Sequence, residues 1–329
     1  MNFFDIILFP FSWAVSAVLW VFHELLTAIG MDPASGITWV LSIVGLTLVM
    51  RTLTIPLFLK QIKSMRGMQE LQPEMAKLQA KYKGKKDQLS RQAMAEEQMA
   101  LYKNHGSKPF SACLPILVQM PIFFALFKVL RSVPQAAANG ESIHVLTPQL
   151  VEQFNASTIF GAPLFSTLMQ PGAGNHTATV VLAVVMIVAM SATQFITQKQ
   201  LTVRNMSDAA KQSPMYRQQQ MMLYLFPLVF AIGGINFPLG VLIYWTVSNL
   251  WSMGQQWWVI RNNPTPGSQA ERELNERRAA KGLPPVGVTK EEHEEKLEEQ
   301  RQRAAAGQRK QPVSKKRQKQ QQGRKKQGS

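Results

Sequence analysis

The sequence predicts an all-α integral membrane protein. The expected architecture is five spanning helices, a cytoplasmic helical hairpin after the first, an amphipathic N-terminal helix on the outer surface and a disordered basic tail. About 20 consecutive, mostly apolar residues suffice to cross a bilayer as a helix, and five such runs occur, at 37–59, 110–132, 178–198, 218–236 and 238–260. Lys and Arg gather between these runs in a regular alternation, and the composition turns from apolar to charged after residue 260. Whole-chain averages hide the division, since 46% hydrophobic and 17% charged residues could describe a soluble protein.

The charge alternation sets the orientation, because cytoplasmic loops carry the excess of Lys and Arg. Residues 1–50 hold none, 60–109 hold eleven, 133–177 none and 199–217 four. The turn "INFPLG" holds none and the tail from Arg261 holds eighteen. The N-terminus is therefore expected outside and the C-terminus in the cytoplasm.

Residues 1–36 include "IILFPFSWAVSAVLWVF", long enough to suggest a sixth span or a signal peptide. A signal peptide begins with a basic region and ends at a small-residue cleavage site, and neither is clear. Trp13, Trp20, Phe22 and His23 suit a membrane interface, so the segment is read as a helix on the outer surface, with a span as the alternative. The lone cysteine, Cys113, excludes an internal disulfide framework. It falls in the second run, where it is read as a packing residue.

Residues 37–59 form the first run. In the 60–109 segment, Met65, Met68, Leu71, Met75, Leu78 and Tyr82 recur at helical spacing. "KGKK" breaks the pattern, and a second helix is expected from about Gln88 to Tyr102. The pair predicts an antiparallel hairpin of net charge +6, either a solvated helical pair or, through its methionine face, an adaptable contact surface. The outer loop 133–177 is rich in Gly, Pro, Asn and Ser, and its most apolar part, "FGAPLF" at 160–165, is a candidate to dip back toward the membrane. In the fourth run, Gly233-Gly234 and "NFP" cut the apolar stretch short. Residues 261–299 mix seven basic with nine acidic side chains, consistent with a loose charged helix. Residues 300–329 hold eleven basic side chains and no acid. That stretch cannot bury enough apolar surface to fold alone. It reads as an arm for a polyanion, either nucleic acid or anionic lipid.

No phosphate loop, zinc pair, nucleophile elbow or dinucleotide turn is present. Five scattered histidines make a metal site improbable. No catalytic residue, cofactor or metal is expected.

Arg51 is the residue that asks for a function. It sits in "LSIVGLTLVMRTLTIPLFL", where an arginine costs about 2.5–3.5 kcal/mol even on insertion scales. None of the twenty Asp and Glu residues lies within the five spans, so no carboxylate partner is available there. A water-filled recess open toward the cytoplasm would lower the cost, and pairing with backbone carbonyls is the alternative. Thr47 precedes Arg51 by one turn on the same face. Gln119, Gln194, Tyr244, Ser248 and Asn249 are further intramembrane polar groups. Each alone is more often a helix–helix hydrogen bond.

The stretches "RTLTIPLFLKQIKSMRGMQELQPEMAKLQAKY", "PILVQMPIFFALF" and "FPLGVLIYWTVSNLWSMGQQ" closely resemble the YidC/Oxa/Alb membrane protein insertases, over about Ile37 to Gln256. The resemblance implies a five-helix insertase core around a positively charged groove, closed toward the outside and open to cytoplasm and lipid. It implies that Arg51 is the groove arginine and that Thr47, Gln119, Tyr244 and Trp245 are groove positions, with Gln194, Ser248 and Asn249 as further lining. The implied function is insertion and folding of nascent membrane proteins, alone or with the Sec translocon. The implied partners are those clients and a translating ribosome held through the hairpin and tail, with anionic lipid as another. A monomer is expected. The large folded periplasmic domain of Gram-negative members and the lipobox cysteine of many Gram-positive ones are both missing, which fits an actinobacterial-type member. A solute channel or carrier, which should show acidic coupling residues, and a structural assembly factor, which would tolerate loss of Arg51, are the competing classes.

The orientation is tested by cysteine labelling in whole cells after replacement of Cys113. Ser35→Cys and Ser142→Cys should react with an impermeant reagent, and Ser90→Cys and Ser314→Cys should not. External labelling at position 90 would invert the topology.

Overall fold

The structure is a computed structural model that describes residues 3–85, 87–105, 114–170, 172, 174–211 and 214–307. The helices are α1 (Phe3–Ala28), α2 (Gly36–Glu70), α3 (Gln72–Lys81), α4 (Gln88–Asn104), α5 (Leu114–Asn139), α6 (Pro148–Ala156), α7 (His176–Lys199), α8 (Asp208–Lys211), α9 (Pro214–Gly234), α10 (Leu239–Asn262), α11 (Gln269–Ala279) and α12 (Lys290–Gly307). A two-stranded antiparallel hairpin, β1 (Thr158–Ile159) and β2 (Ala162–Pro163), lies between α6 and α7. The protein is thus an all-α integral membrane protein, with α2, α5, α7, α9 and α10 at the five expected runs.

Among the described residues, length and apolarity alone qualify four helices to cross a membrane: α1, the Gly36–Ile62 part of α2, the Leu117–Asn139 part of α5, and α7 with its π-helical extension to Arg204. The apolar part of α9 is shorter, Gln219–Gly234. α10 carries Asn249, Gln255 and Gln256, but its first half is enclosed by protein, from Leu239 to Tyr244 without a break. A helix shielded by neighbours need not be apolar enough for lipid.

The main core joins α1, α2, α5, α6 and α10. Trp39, Ile43 and Leu46 of α2 pack with Leu126 and Leu130 of α5, and all five are almost fully buried. Phe154 of α6 meets Trp39 edge to face at 4.8 Å. The crossing of α10 is closest at Gly240, where an added Cβ would lie 2.8 Å from Leu130 and 3.1 Å from Ile43.

Several boundaries differ from expectation. The helix expected to end at 59 continues unbroken to Glu70, so Met65 and Met68 belong to α2. The break comes at Leu71, where Pro73, in the first turn of α3, lacks the amide hydrogen that a continuous helix would bond to the Gln69 carbonyl. The hairpin proper is α3 and α4, joined by a turn with Gly84 at φ +87°. Asp87 caps α4 by accepting from the Ser90 amide at 2.8 Å. Met75 is buried in the hairpin's own core with Leu71 and Tyr102, so that part of the methionine face is spent on packing. Lys81 bridges to Glu97 at 2.6 Å, and the Tyr82 hydroxyl donates to the same carboxylate at 2.8 Å. Those donors hold the Glu97 carboxyl below the usual carboxylate range.

α5 runs seven residues past 132, through Pro134 and the helix-favouring "QAAAN". It stops where Gly140 takes φ +65° and the Glu141 amide donates back to Ala136 at 2.8 Å. The outer loop is not irregular, since α6 and the hairpin occupy it. Residues 106–113, with Cys113, lie outside the described residues.

α1 turns its polar side into the protein. Its polar stripe, Ser12, Ser16 and His23, faces inward and is buried with Val15 and Leu19. Ile6, Phe9, Trp13, Trp20 and Leu25 are exposed, so the outward side is suited to lipid. Phe22 lies against Gly45, nine residues into α2, and Asp5 pairs with Lys128 at 2.6 Å, eleven residues before the end of α5. The two contacts lie at similar distances from the Gly36 and Asn139 ends, so α1 crosses both helices. It does not run alongside either for its whole length. The His23 ring stacks on Trp39 at 4.1 Å and bonds the Pro33 carbonyl at 3.0 Å, fastening the other end.

The described residues from 273 to 307 belong to a separate compact unit from those of 1–272. In it α12 extends to Gly307, into the stretch expected to be disordered, because Ala304–Ala306 favour a helix. The basic residues from 308 to 329 lie outside the described residues.

The Gly240 crossing generates a stability test. Gly240→Val should cost about 1–3 kcal/mol through overpacking against Ile43 and Leu130, read as a lowered thermal midpoint in lipid nanodiscs. Gly254→Val, where an added Cβ meets nothing within 4 Å, should cost much less.

Candidate functional site

Ile43, Leu130 and Gly240 meet at one level of the bundle. Arg51 lies eight residues further along α2, Gln119 eleven residues back along the oppositely running α5, and Ser248 eight further along α10. At 1.5 Å per residue these positions are all roughly 12–17 Å deeper. Three helices therefore deliver polar side chains to one depth. Pro56 follows Arg51 by five residues and cannot donate to the Thr52 carbonyl, which loses its usual helical donor.

Tyr244 links them. Gln119 Nε2 donates to the Tyr244 hydroxyl across α5 and α10, and Tyr244 and Arg51 lie within electrostatic reach of each other. Ser248, one turn on, sits beside the same hydroxyl, and its buried Oγ makes no hydrogen bond of good geometry. Arg51 is largely enclosed, and its Nε is buried without a partner. Among the described residues the guanidinium forms no ion pair, and no hydrogen bond to a backbone carbonyl is made. The cluster thus presents an unneutralised cation, a phenol and an amide, which suits a transient polar or anionic visitor. It contains no nucleophile–base pair. Among the described residues no group of His, Cys, Asp and Glu could hold a metal ion.

The other expected site residues divide. Thr47 is fully buried, and its hydroxyl donates to the Ile43 carbonyl of its own helix at 2.7 Å. It therefore keeps that donor inside α2. Trp245 stands in an aromatic cluster, edge-on to Phe123 and Phe230 at 4.7 Å each and stacked on Phe237 at 6.0 Å. Those contacts join α5, α9 and α10. Asn249 donates to the Met190 carbonyl at 3.2 Å, a bond between α10 and α7. Gln194, half-buried on α7, makes none of these contacts.

A second feature is a crevice with a mostly apolar lining, where Phe58, Gln61 and Ile62 of α2 face Asn205, Val259 and Ile260, ten residues beyond Arg51 along α2. The segment after α10 is tied down there, with the Thr265 amide donating to Asn205 at 3.0 Å and Arg272 bridging to Asp208 at 2.7 Å. The amides of the crevice stand at or beyond the ends of the apolar runs, where the sequence marks them only by position.

The 60Kd inner membrane protein family matches residues 30–266. A Streptomyces avermitilis protein named membrane protein insertase YidC is 47% identical over 282 residues, covering 83% of this chain and 62% of that protein. The Tropheryma whipplei protein of the same name is 41% identical over 276 residues, covering 82% of this chain and 88% of its own length. The chain belongs to the YidC, or 60Kd inner membrane protein, family. The Bifidobacterium longum protein with that name is 35% identical over 289 residues, covering 84% of each chain. This YidC-family chain is accordingly a multi-pass bacterial membrane protein. It spans less than two thirds of the Streptomyces relative.

Two neighbouring substitutions separate scaffold from polar cluster in this YidC-family chain. Asn249→Ala breaks an interhelical bond and should cost about 0.6–2 kcal/mol, whereas Ser248→Ala removes an unpartnered hydroxyl and should be near neutral. Thermal midpoints in nanodiscs read both. Equal costs would place Ser248 in the scaffold too.

Proposed function

We propose that this chain is a membrane protein insertase and chaperone, with Arg51, Tyr244 and Gln119 at the centre of its client path. The supporting observation is the uncompensated Arg51, held between α2 and α10 without a carboxylate, in a family whose relatives are named membrane protein insertase YidC.

The mechanism follows from what a nascent membrane protein must do. It has to move a short polar segment, often acidic, across an apolar layer. A recess lined by Arg51, Gln119 and Tyr244 and open to the cytoplasm lets that segment keep hydrogen-bonding partners over part of the crossing. Arg51 serves as a temporary counter-ion, and because no resident acid neutralises it, its field is available to the visitor. The client's apolar segment leaves sideways into lipid. Burial at about 25 cal/mol per Å² drives that step without a nucleotide.

In this reading the N-terminus is outside and the tail cytoplasmic. The hairpin and the arm beyond residue 300 engage the translating ribosome, and the Sec translocon cooperates for larger clients. The arm acts by charge, because it has no aromatic residues to stack bases.

Two single-span clients, one with an acidic N-terminal tail and one with a neutral tail, test the role of Arg51. Arg51→Lys should retain most insertion, losing only two-point geometry. Arg51→Ala should slow the acidic client roughly tenfold or more, since hydrogen bonds to charged groups are worth about 1.5–3 kcal/mol, and the neutral client far less. Protein abundance should hardly change. Equal losses for both clients with lower abundance would make Arg51 structural.

The arm has its own test. Truncation after Gln300 should weaken ribosome co-sedimentation and flatten its dependence on salt, because fewer phosphate contacts release fewer counter-ions. Unchanged co-sedimentation across the salt series would transfer the arm to another polyanion, with anionic lipid first.

A further inference from the structure

The hairpin β1–β2 places one large apolar side chain where a soluble loop would not. Thr158 pairs with Pro163 and Ile159 with Ala162, leaving Phe160 and Gly161 as a two-residue turn. Both have positive φ, +51° and +81°. Such turns favour Asn-Gly, because the first position must enter the left-handed region. A bulky aromatic residue is strained there. Phe160 is nonetheless 86% exposed, so contacts within the chain do not compensate for its conformation.

The turn is held firmly and at a particular height. On one side, the Thr158 carbonyl abuts Gly36, the first residue of α2, so closely that no Cβ would fit. On the other, the Asn175 amide donates to the Gly161 carbonyl at 3.0 Å, and Asn175 caps α7 through the Ala178 amide. Below, the amides of Leu239 and Gly240 donate to the carbonyls of Ser166 and Leu164, each at 2.9 Å. The tip is therefore pinned between the first turns of two apolar helices, α2 and α7, and lies level with their ends. Ile37, beside Gly36, is 58% exposed on the surface of α2. Phe160 thus continues an apolar surface at the depth where aromatic residues anchor membrane proteins.

We propose that Phe160 is a membrane-interface anchor. Its ring enters the lipid headgroup boundary beside α2 and fixes the hairpin that closes over the start of α10. The occupant is lipid, since the ring stands at the margin of a bilayer-spanning surface. A protein partner is an outcome of the test.

The test uses the full chain, with Cys113 replaced, in nanodiscs of phosphatidylcholine and phosphatidylglycerol. Nitroxide labels are attached after Phe160→Cys, after Val188→Cys on the exposed apolar face of α7, and after Ser142→Cys in the outer loop. At position 160, collision with oxygen should exceed collision with a water-soluble nickel complex, as at 188. Nickel accessibility at 160 equal to that at 142 would overturn the anchor and leave the ring for a protein partner. A second arm keeps the native ring and labels Thr158→Cys. Adding Phe160→Asn relieves the strained turn, so without an anchor the label should become less mobile or stay unchanged. With the anchor it should become more mobile in nanodiscs. Unchanged or reduced mobility would contradict the proposal.

Discussion

An arginine without a counter-charge is the constraint around which the bundle is organised. Moving Arg51 into an apolar layer costs about 2.5–3.5 kcal/mol even on the mildest scale. The structure does not offset that cost with a carboxylate. It supplies a phenol and an amide from two other helices, which soften the environment without neutralising the charge. An acid at Gln119 or Ser248 would remove the cost and with it the attraction for an incoming polar group.

Holding such a cluster requires a rigid frame above it. The frame is the Ile43–Leu130–Gly240 crossing, where the absence of a Cβ brings α10 against α2 and α5. α6 and the β-hairpin cap that crossing from one end, and Trp39 ties α6 to α1 through Phe154 and His23. The polar groups lie beyond the frame, where packing loosens and Arg51 regains partial exposure. Dense packing therefore lies at one end, and the polar side chains of Arg51, Gln119 and Tyr244 lie further in.

Much of this was legible in the sequence, for identifiable reasons. The five runs stand out because crossing a bilayer demands length and apolarity, and the charge alternation follows from the asymmetry of insertion. Arg51 was conspicuous because every acid lies outside the runs. Helix ends were less legible, since a helix need not stop where the apolar layer stops. α2 ends at Pro73's influence and α5 at Gly140, both signals of backbone chemistry and not of hydropathy. The roles of the polar residues were least legible. Thr47 and Asn249 satisfy backbone carbonyls, Trp245 packs among phenylalanines, and Gln119 reaches Tyr244 across 125 residues of sequence. Such pairings depend on helix rotation, which spacing alone does not determine. The direction in which α1 turns Ser12, Ser16 and His23 was not legible either, since it depends on which side of the helix meets protein.

The central claim, that the Arg51 recess is the path of an incoming chain, is tested most directly by site-specific photocrosslinking. A photoreactive residue is placed at Ser248, beside Tyr244, or at Val188, on the lipid-exposed face of α7. Stalled ribosome–nascent chains of a single-span client, in steps of increasing length, are then presented to membranes containing each variant. The account predicts crosslinks at 248 over a narrow window of lengths, as the first apolar segment arrives, followed by their loss as the client moves into lipid. Crosslinks that never appear at 248, or that appear equally at 188 for every length, would contradict it.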